Sequence, residues 1–312
     1  MQNVYLITGA TGFIGTNIVR QLIKQEQGVA VIVRDKRLNW RLNDIASKLD
    51  IYECDLLSNS LGDLVEKIRP DFIFHLATYG MLAKEDDSCK MIDINLKGTI
   101  NLVNAAKKIS LKLFINTGSC FEYGNKSNPM KETDFLEPLN DYSVIKSAVT
   151  LYCQKEAIRS GIPIINFRLF TPYGYFEDNH RLIPSVVRSA IVNEPIKVSV
   201  PESVRDFVFI EDVVNAYIQA VKMSLPNGSI FNIGSGRQYN VGQIIKIILR
   251  LSKSNSKVLW GAVRKQDRYI EPTTLRADLS KTRKMLQWSP RDTIWEGLGK
   301  TIEWFKKNRH LY

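Results

Sequence analysis

Eight residues near the start of the chain, Thr8-Gly-Ala-Thr-Gly-Phe-Ile-Gly15, restrict its fold more than any other stretch. They come after a short apolar run, Val4-Tyr5-Leu6-Ile7, and open a segment from Phe13 to Gln25 that reads as a helix. A buried strand entering a glycine-rich turn and then a helix leaves free backbone N–H groups and the positive helix end where a pyrophosphate can sit. Gly9 permits the tight turn, Gly12 lets the pyrophosphate approach the backbone, and Gly15 lets helix and strand pack closely. Thr11, Phe13 and Ile14 complete the loop as candidate contacts. The spacing is G-x-x-G-x-x-G, one residue longer in its first interval than G-x-G-x-x-G, and three glycines alone also suit an ordinary turn.

The rest of the chain alternates. Val29-Ala-Val-Ile-Val33 is a second apolar, β-branched run suited to a buried parallel strand, and it ends in Arg34-Asp-Lys-Arg37. An acidic residue at this junction suits a free ribose 2′-hydroxyl, and an Arg suits a 2′-phosphate. Arg34 at the strand end, supported by Arg37, with Asp35 one residue late, therefore favours NADP(H), with NAD(H) as the alternative; a solvated charged loop is the plainer account. Asp50 to Asp55 reads as a third strand, ending in Asp55-Leu56 where an adenine amino group could be bound. A helix from Leu61 to Ile68 leads to a fourth strand, Phe72 to Ala77. A helix from about Asp93 to Ile109, a strand from Lys112 to Thr117 followed by Gly118-Ser119, and a helix from Asp141 to about Arg159 continue the pattern. Strands alternating with helices predict a parallel, doubly wound α/β sheet with helices on both faces. Tyr142 and Lys146, four apart on the last helix, share one face; a buried Tyr beside a surface Lys is the plainer account.

Composition narrows the function classes. A chain of 312 residues, 44% hydrophobic and 24% charged, can bury a large core. No apolar run reaches the roughly 18–20 residues of a membrane span, and the N-terminal residues lack a secretory pattern, so a cytoplasmic protein without a membrane partner is expected. The net charge of +11 is spread along the chain rather than gathered in a stripe. It suits small polyanionic ligands or a lysine-rich surface better than nucleic acid. Cys54, Cys89, Cys120 and Cys153 are too scattered for a metal pair or a disulfide scaffold, and no metal is expected. His75 reads as packing at a strand end, and His180 and His310 as solvated. Trp288, Trp295 and Trp304 read as anchors within a C-terminal helical region.

In order, these pieces resemble the extended short-chain dehydrogenases/reductases, in the group of nucleotide-sugar epimerases, dehydratases and reductases. The matching residues are Thr8–Gly15, Asp55-Leu56, His75-Leu76-Ala77-Thr78, Asn95 in Ile94-Asn-Leu-Lys-Gly-Thr99, Ser119 in Gly118-Ser-Cys-Phe-Glu-Tyr-Gly124, Tyr142-x-x-x-Lys146, Pro172-Tyr-Gly174, Arg205-Asp-Phe-Val-Phe-Ile-Glu-Asp212 and Phe231-Asn-Ile-Gly234. The resemblance implies a Rossmann half over residues 1–172 and about 206–232. It places a smaller α/β nucleotide-sugar half over about 173–205 and 233–312. It also implies Tyr142 as acid/base, Lys146 holding the nicotinamide ribose and lowering the tyrosine pKa, and Ser119 bonding the reacting oxygen. A free tyrosine titrates near pH ~10, so some such help is required at neutrality. Leu76, Ala77, Thr78, Asn95, Thr117, Phe170 and Pro172 would line the cofactor, while Cys120, Phe121, Arg181, Arg205 and Arg268 would line the substrate.

The positions after Ser119 discriminate among reactions. Dehydratases of the resembled group carry Asp-Glu there, and this chain has Cys120-Phe121. A phenyl ring cannot act as a base. Glu122 comes one position later and, by alternation, points away from the side Phe121 takes. The wording around Ser119 and His75, with Arg34, is similar to NADPH-dependent reductases of the C4 ketone of CDP- or dTDP-linked 4-keto-6-deoxyhexoses, which supply sugars of surface polysaccharides. The alternatives are an NAD-dependent nucleotide-sugar epimerase and, outside enzymes, a cofactor-sensing regulator on the same fold. A homodimer through the Met91–Ile109 and Tyr142–Arg159 helices is expected by resemblance.

Overall fold

The computed structural model describes residues 2–36, 40–81, 85–263 and 274–312. In chain order these form β1 (Val4–Thr8), α1 (Phe13–Lys24), β2 (Gly28–Val33), β3 (Asp50–Glu53), α2 (Leu61–Ile68) and β4 (Phe72–His75). Then come α3 (Ser88–Met91), α4 (Gly98–Ala106), β5 (Leu113–Ser119), α5 (Asp141–Ser160), β6 (Ile164–Leu169) and β7 (Thr171–Tyr173). The chain continues through α6 (Leu182–Ile191), β8 (Ile196–Val198), β9 (Val204–Arg205), β10 (Phe207–Phe209), α7 (Ile210–Val221) and β11 (Ile230–Ile233). It finishes with β12 (Tyr239–Asn240), α8 (Val241–Ser252), β13 (Val258–Trp260) and α9 (Ile294–Lys307).

Seven strands make one parallel sheet in the order β3-β2-β1-β4-β5-β6-β11, the doubly wound arrangement expected. Alternation along each strand feeds two cores. Tyr5 and Ile7 pack with Ile18, Val19 and Leu22 of α1 and Val213 of α7, whereas Leu6 packs with Val65 of α2, Leu102 of α4 and Val149 of α5. Coverage of both faces is why the strands read as unbroken apolar runs. The order reverses between β1 and β4, which opens a crevice at their C-terminal ends. β6 passes directly into β7, which pairs with β10; β9 pairs with β12 and β8 with β13.

Three boundaries differ from the pattern. The helix expected from Asp93 begins earlier, at Ser88, because the Asp87 carboxylate caps it by accepting the Lys90 N–H at 3.0 Å. It then passes through a π-helical turn, Ile92–Lys97, before α4. β5 runs two residues further than expected, so Ser119 lies on the strand itself. Trp288 lies outside α9 and is buried, its Nε1 donating to the Asp212 carbonyl at 3.1 Å, while Trp295 and Trp304 are on the helix.

The close packing at Gly15 predicts a paired result. A Cβ there would lie 2.3 Å from the Gly9 carbonyl oxygen, whereas one at Gly299 in α9 would meet nothing within 4 Å. Gly15→Ala should lose about 2 kcal/mol or more in chemical denaturation, while Gly299→Ala should gain about 0.5–1 kcal/mol.

Candidate active site

β1 delivers the chain into the turn at Thr8. Gly9 has φ +71°, and a Cβ on it would come within 2.6 Å of the Ala77 nitrogen, so only glycine lets the turn nest against the end of β4. The Gly12 N–H closes the turn on the Gly9 carbonyl at 3.0 Å. Gly12 is also the N-cap residue of α1, exposed and without a side-chain cap, and a Cβ there would approach only the Gly9 carbonyl oxygen. The first-turn N–H groups of α1 thus face an open cradle that fits a pyrophosphate. Thr11, Phe13 and Ile14 are half-buried around it.

A buried imidazole ties this turn to the neighbouring strand ends. His75 Nδ1 meets Thr8 Oγ1 at 2.7 Å, and Nε2 meets Thr99 Oγ1 at 2.8 Å. Thr99 donates its proton to the Asn95 carbonyl, so Nε2 must donate to Thr99 and Nδ1 must accept from Thr8, whose oxygen accepts the Ala77 N–H at 3.3 Å. Every polar atom of the chain of contacts is used. Burial, with the charge of Lys146, pushes the imidazole down to about 3, so it stays neutral and structural. Asn95, expected at the cofactor, spends both ends of its amide on the Tyr79 backbone at 2.8 Å and so fixes the loop carrying Leu76, Ala77 and Thr78.

At the end of β5, Ser119 is buried and sits in a reciprocal cap: its Oγ accepts the Phe121 N–H at 3.3 Å, and its own N–H donates to Glu122 Oε1 at 2.8 Å. One lone pair of the hydroxyl is thereby taken, which leaves its proton available to a substrate oxygen. Asn140 starts α5 by accepting the Ser143 N–H at 2.9 Å, which places half-buried Tyr142 and buried Lys146 above the strand end. Burial pushes the Tyr142 phenol up; the groups pulling it back are Thr78 and Arg181 rather than Lys146, while Glu122 and Cys120 add to the rise. Lys146 donates to the Thr117 carbonyl, and its ammonium is disfavoured by burial and supported by Glu122 and Cys153. The expected lowering of the tyrosine by Lys146 is therefore not visible in the protein alone, because the ammonium is turned to the strand end.

The remaining expected residues are spread about this crevice. Arg34 is exposed just past β2, and Arg37 lies outside the described residues. Asp55 is exposed with Oδ1 accepting the Leu57 N–H at 2.8 Å, and Leu56 is buried. Thr117 Oγ1 bonds Tyr217 at 2.7 Å; Phe170 is buried in the core, and Pro172 is half-buried on β7. Cys120 is buried, its thiol pushed up by burial, with Arg205 and Asp206 as charged neighbours; Phe121 is half-buried against the core. Arg181 stands at the N-cap position of α6 without a side-chain cap bond, and its charge favours the Tyr142 phenolate as that of Arg205 favours the Cys120 thiolate. Arg268 lies outside the described residues. Among the described residues no cluster of metal-ligating side chains forms.

Glu122 lies in a tight 3₁₀ turn rather than the extended segment that alternation assumes. It is fully buried against Arg168, Nε to Oε2 at 2.7 Å. Sequence reasoning missed that pair, yet a signal existed: an arginine inside the apolar run Ile164–Leu169 needs a buried partner. Asp206 is likewise buried, accepting N–H bonds from Ser235, Gly236 and Ala277 at 2.6–3.0 Å.

A glycine turn, a strand-end Ser and a Tyr/Lys helix about one crevice define a dinucleotide-dependent enzyme of the short-chain type. Residues 5–234 match the NAD dependent epimerase/dehydratase family, and the chain belongs to it. A UDP-glucuronate 4-epimerase of Thermodesulfobacterium geofontis is 29% identical over 98% of this chain and 97% of its own. The UDP-glucose 4-epimerase of Thermotoga maritima, solved with UDP-glucose, superposes with a TM-score of 0.88 at 25% identity, covering 98% and 99% of the two chains. MoeE5, solved with UDP-glucuronic acid and NAD, gives 0.86 at 26% identity over 98% and 99%.

The burial of His75 predicts a pH dependence. Between pH 6.5 and about 3 the unfolded imidazole takes up a proton that the folded one refuses, so this group lowers stability as pH falls through that window. The slope is about 1.4 kcal/mol per pH unit. His75→Asn should flatten the stability–pH curve, measured by urea unfolding, by that amount.

Proposed function

We propose that the protein is an NAD-dependent nucleotide-sugar epimerase that inverts a ring hydroxyl, at C4, by oxidising and re-reducing that carbon. The observation that carries this reading is the pair of side chains directly after Ser119. Cys120 and Phe121 offer no acid or base, and the nearby carboxylates are spent: Glu122 on Arg168, Thr150 and the Ser119 N–H, and Asp206 on Ser235, Gly236 and Ala277. Tyr142 is left as the acid/base at that point. One such group suffices for moving one proton out and back, and does not suffice for a dehydration that also needs a departing hydroxyl protonated and a second proton removed.

In this reading Tyr142 takes the hydroxyl proton as the C4 hydrogen leaves and returns it after the face has changed, while Ser119 donates to the same oxygen. A bound nicotinamide would supply the hydride acceptor and donor, and its positive charge would add to the pull that Arg181 exerts on the phenol. The glycine cradle with Gly9, Gly12 and Gly15 would hold the pyrophosphate, Asp55 and Leu56 the adenine, and Lys146 the ribose. Arg205 and Arg181 would meet the sugar nucleotide, a guanidinium being suited to diphosphate oxygens. The relatives' UDP-sugars make a UDP-linked sugar the first substrate to test. The two-part division near residues 172 and 206–232, and a homodimer through α3–α4 and α5, belong to the same proposal.

The NADP(H) preference inferred from Arg34 finds no support in these relatives, and NAD is the better-founded cofactor. The C4 ketoreductase is retained as a second reading on one observation, exposed Arg34 at the end of β2. Nucleotide released by denaturing the purified protein distinguishes them: stoichiometric NAD, with interconversion of UDP-sugar C4 epimers, is expected. An empty site preferring NADPH, and consuming it with a 4-ketosugar, would reverse the assignment. Tyr142→Phe should keep the bound cofactor and lose turnover by roughly 10²–10⁴-fold; undiminished function in that variant would point to a cofactor-sensing regulator.

A further inference from the structure

Beneath the site lies a charged pair that the proposed reaction does not use directly. Glu122 is wholly buried and Arg168 is 2% exposed. The carboxylate is the better satisfied partner: Oε1 accepts from the Ser119 N–H at 2.8 Å and from Thr150 Oγ1 at 3.1 Å, and Oε2 accepts from Arg168 Nε at 2.7 Å. The arginine has Nη1 buried with no hydrogen-bond partner, and its guanidinium lies 4.5 Å over the Tyr123 ring, which is anchored in turn through its hydroxyl to Asn232 at 2.7 Å. A cation left with an orphaned donor beside a fully bonded carboxylate indicates which group the arrangement serves. Space for that carboxylate is also reserved: a Cβ on Gly118 would stand 2.5 Å from Glu122 Oε1.

We propose that Glu122, held in place by Arg168, is a positioning residue that fixes the Ser119 hydroxyl and sets the charge balance under Tyr142 and Lys146. This rests on the reading of the site as an epimerase. The cap on Ser119 depends on the Glu122 side chain, because that side chain closes one of the two reciprocal bonds. The charge reaches further. From α5, Tyr142, Lys146 and Cys153 feel Glu122; from β6, Arg168 does; on its own turn, Cys120 and Tyr123 do. Its negative charge favours the ammonium of Lys146 and disfavours the phenolate of Tyr142. Removing it should therefore let Tyr142 ionise at lower pH, a change that loss of packing alone would not produce.

Two variants test this. Glu122→Gln keeps an oxygen for the Ser119 N–H and removes the charge. Glu122→Gln with Arg168→Met removes both charges and leaves no unpaired buried ion, so it protects against simple misfolding. Bound NAD and the melting midpoint report folding; kcat, KM and the pH profile of kcat report function. The 13Cζ signal of Tyr142 in tyrosine-labelled protein, assigned by Tyr142→Phe, reports its ionisation without any substrate. The expected result is a kcat lower by roughly ten- to a hundredfold with KM within about twofold. In Glu122→Gln the acid limb of kcat and the tyrosine signal should both move to lower pH by about one unit, and in the double variant by less, because the Arg168 charge is lost with it. A folded, NAD-containing Glu122→Gln variant with an unmoved tyrosine signal, or a folded double variant with the parent kcat, would overturn the proposal. So would failure of both variants to fold, which would assign the pair to the fold alone. If the parent protein epimerises no nucleotide sugar, the tyrosine signal still decides: a shift supports the positioning role while the epimerase reading falls.

Discussion

Parallel pairing of β1, β4 and β5 decides where any chemistry in this molecule can occur. Thr8, His75 and Asn116 stand at one level across the three strands, and β5 continues three residues past it, about 10 Å, to Ser119. One chain direction therefore places the glycine turn after β1, the Leu76–Thr78 loop after β4 and the strand-end serine after β5 on the same side. The His75 imidazole locks the first two together through Thr8 and Thr99, and Asn95 holds the loop through Tyr79. A parallel sheet has no tight hairpins at its ends, so these loops are free to be specialised while the strands stay apolar.

The charges are organised by the same geometry. Two buried carboxylates here, Asp206 and Glu122, each collect several donors. Asp206 is raised to about 6 by burial against four hydrogen bonds from Ser235, Gly236 and Ala277. By doing so it joins the loop after β11 and the segment at Ala277 to β9, which fixes Arg205 next to it. Glu122 plays the corresponding part under Ser119. Polar groups inside such a protein cost stability unless bonded, and here the bonding places the side chains proposed to meet cofactor and substrate.

Much of this was legible in the sequence because it is local. The glycine loop, the helix Leu61–Ile68, the alternation of strands with helices and the order Ser119, Tyr142, Lys146 depend on near neighbours and on periodicity, and the structure has them. The features that were not legible depend on distance. The partners Glu122 and Arg168 are 46 residues apart, Asn95 in its π-helical turn bonds the Tyr79 backbone 16 residues away, and Lys146 faces the Thr117 carbonyl rather than the phenol. The inference from Arg34 to NADP(H) rests on one exposed guanidinium beside Asp35 at a strand end, which does not by itself define a phosphate site.

In the proposed reaction one acid/base beside a retained cofactor removes hydrogen from a sugar carbon and returns it to the same carbon. The most direct measurement tracks a UDP-sugar deuterated at C4, mixed with unlabelled substrate and turned over in ordinary water. The expected product is an epimer that keeps its deuterium at C4, without exchange into solvent and without net consumption of added NADH or NADPH. Deuterium lost from C4, or turnover that requires a stoichiometric reduced cofactor, would contradict the proposal.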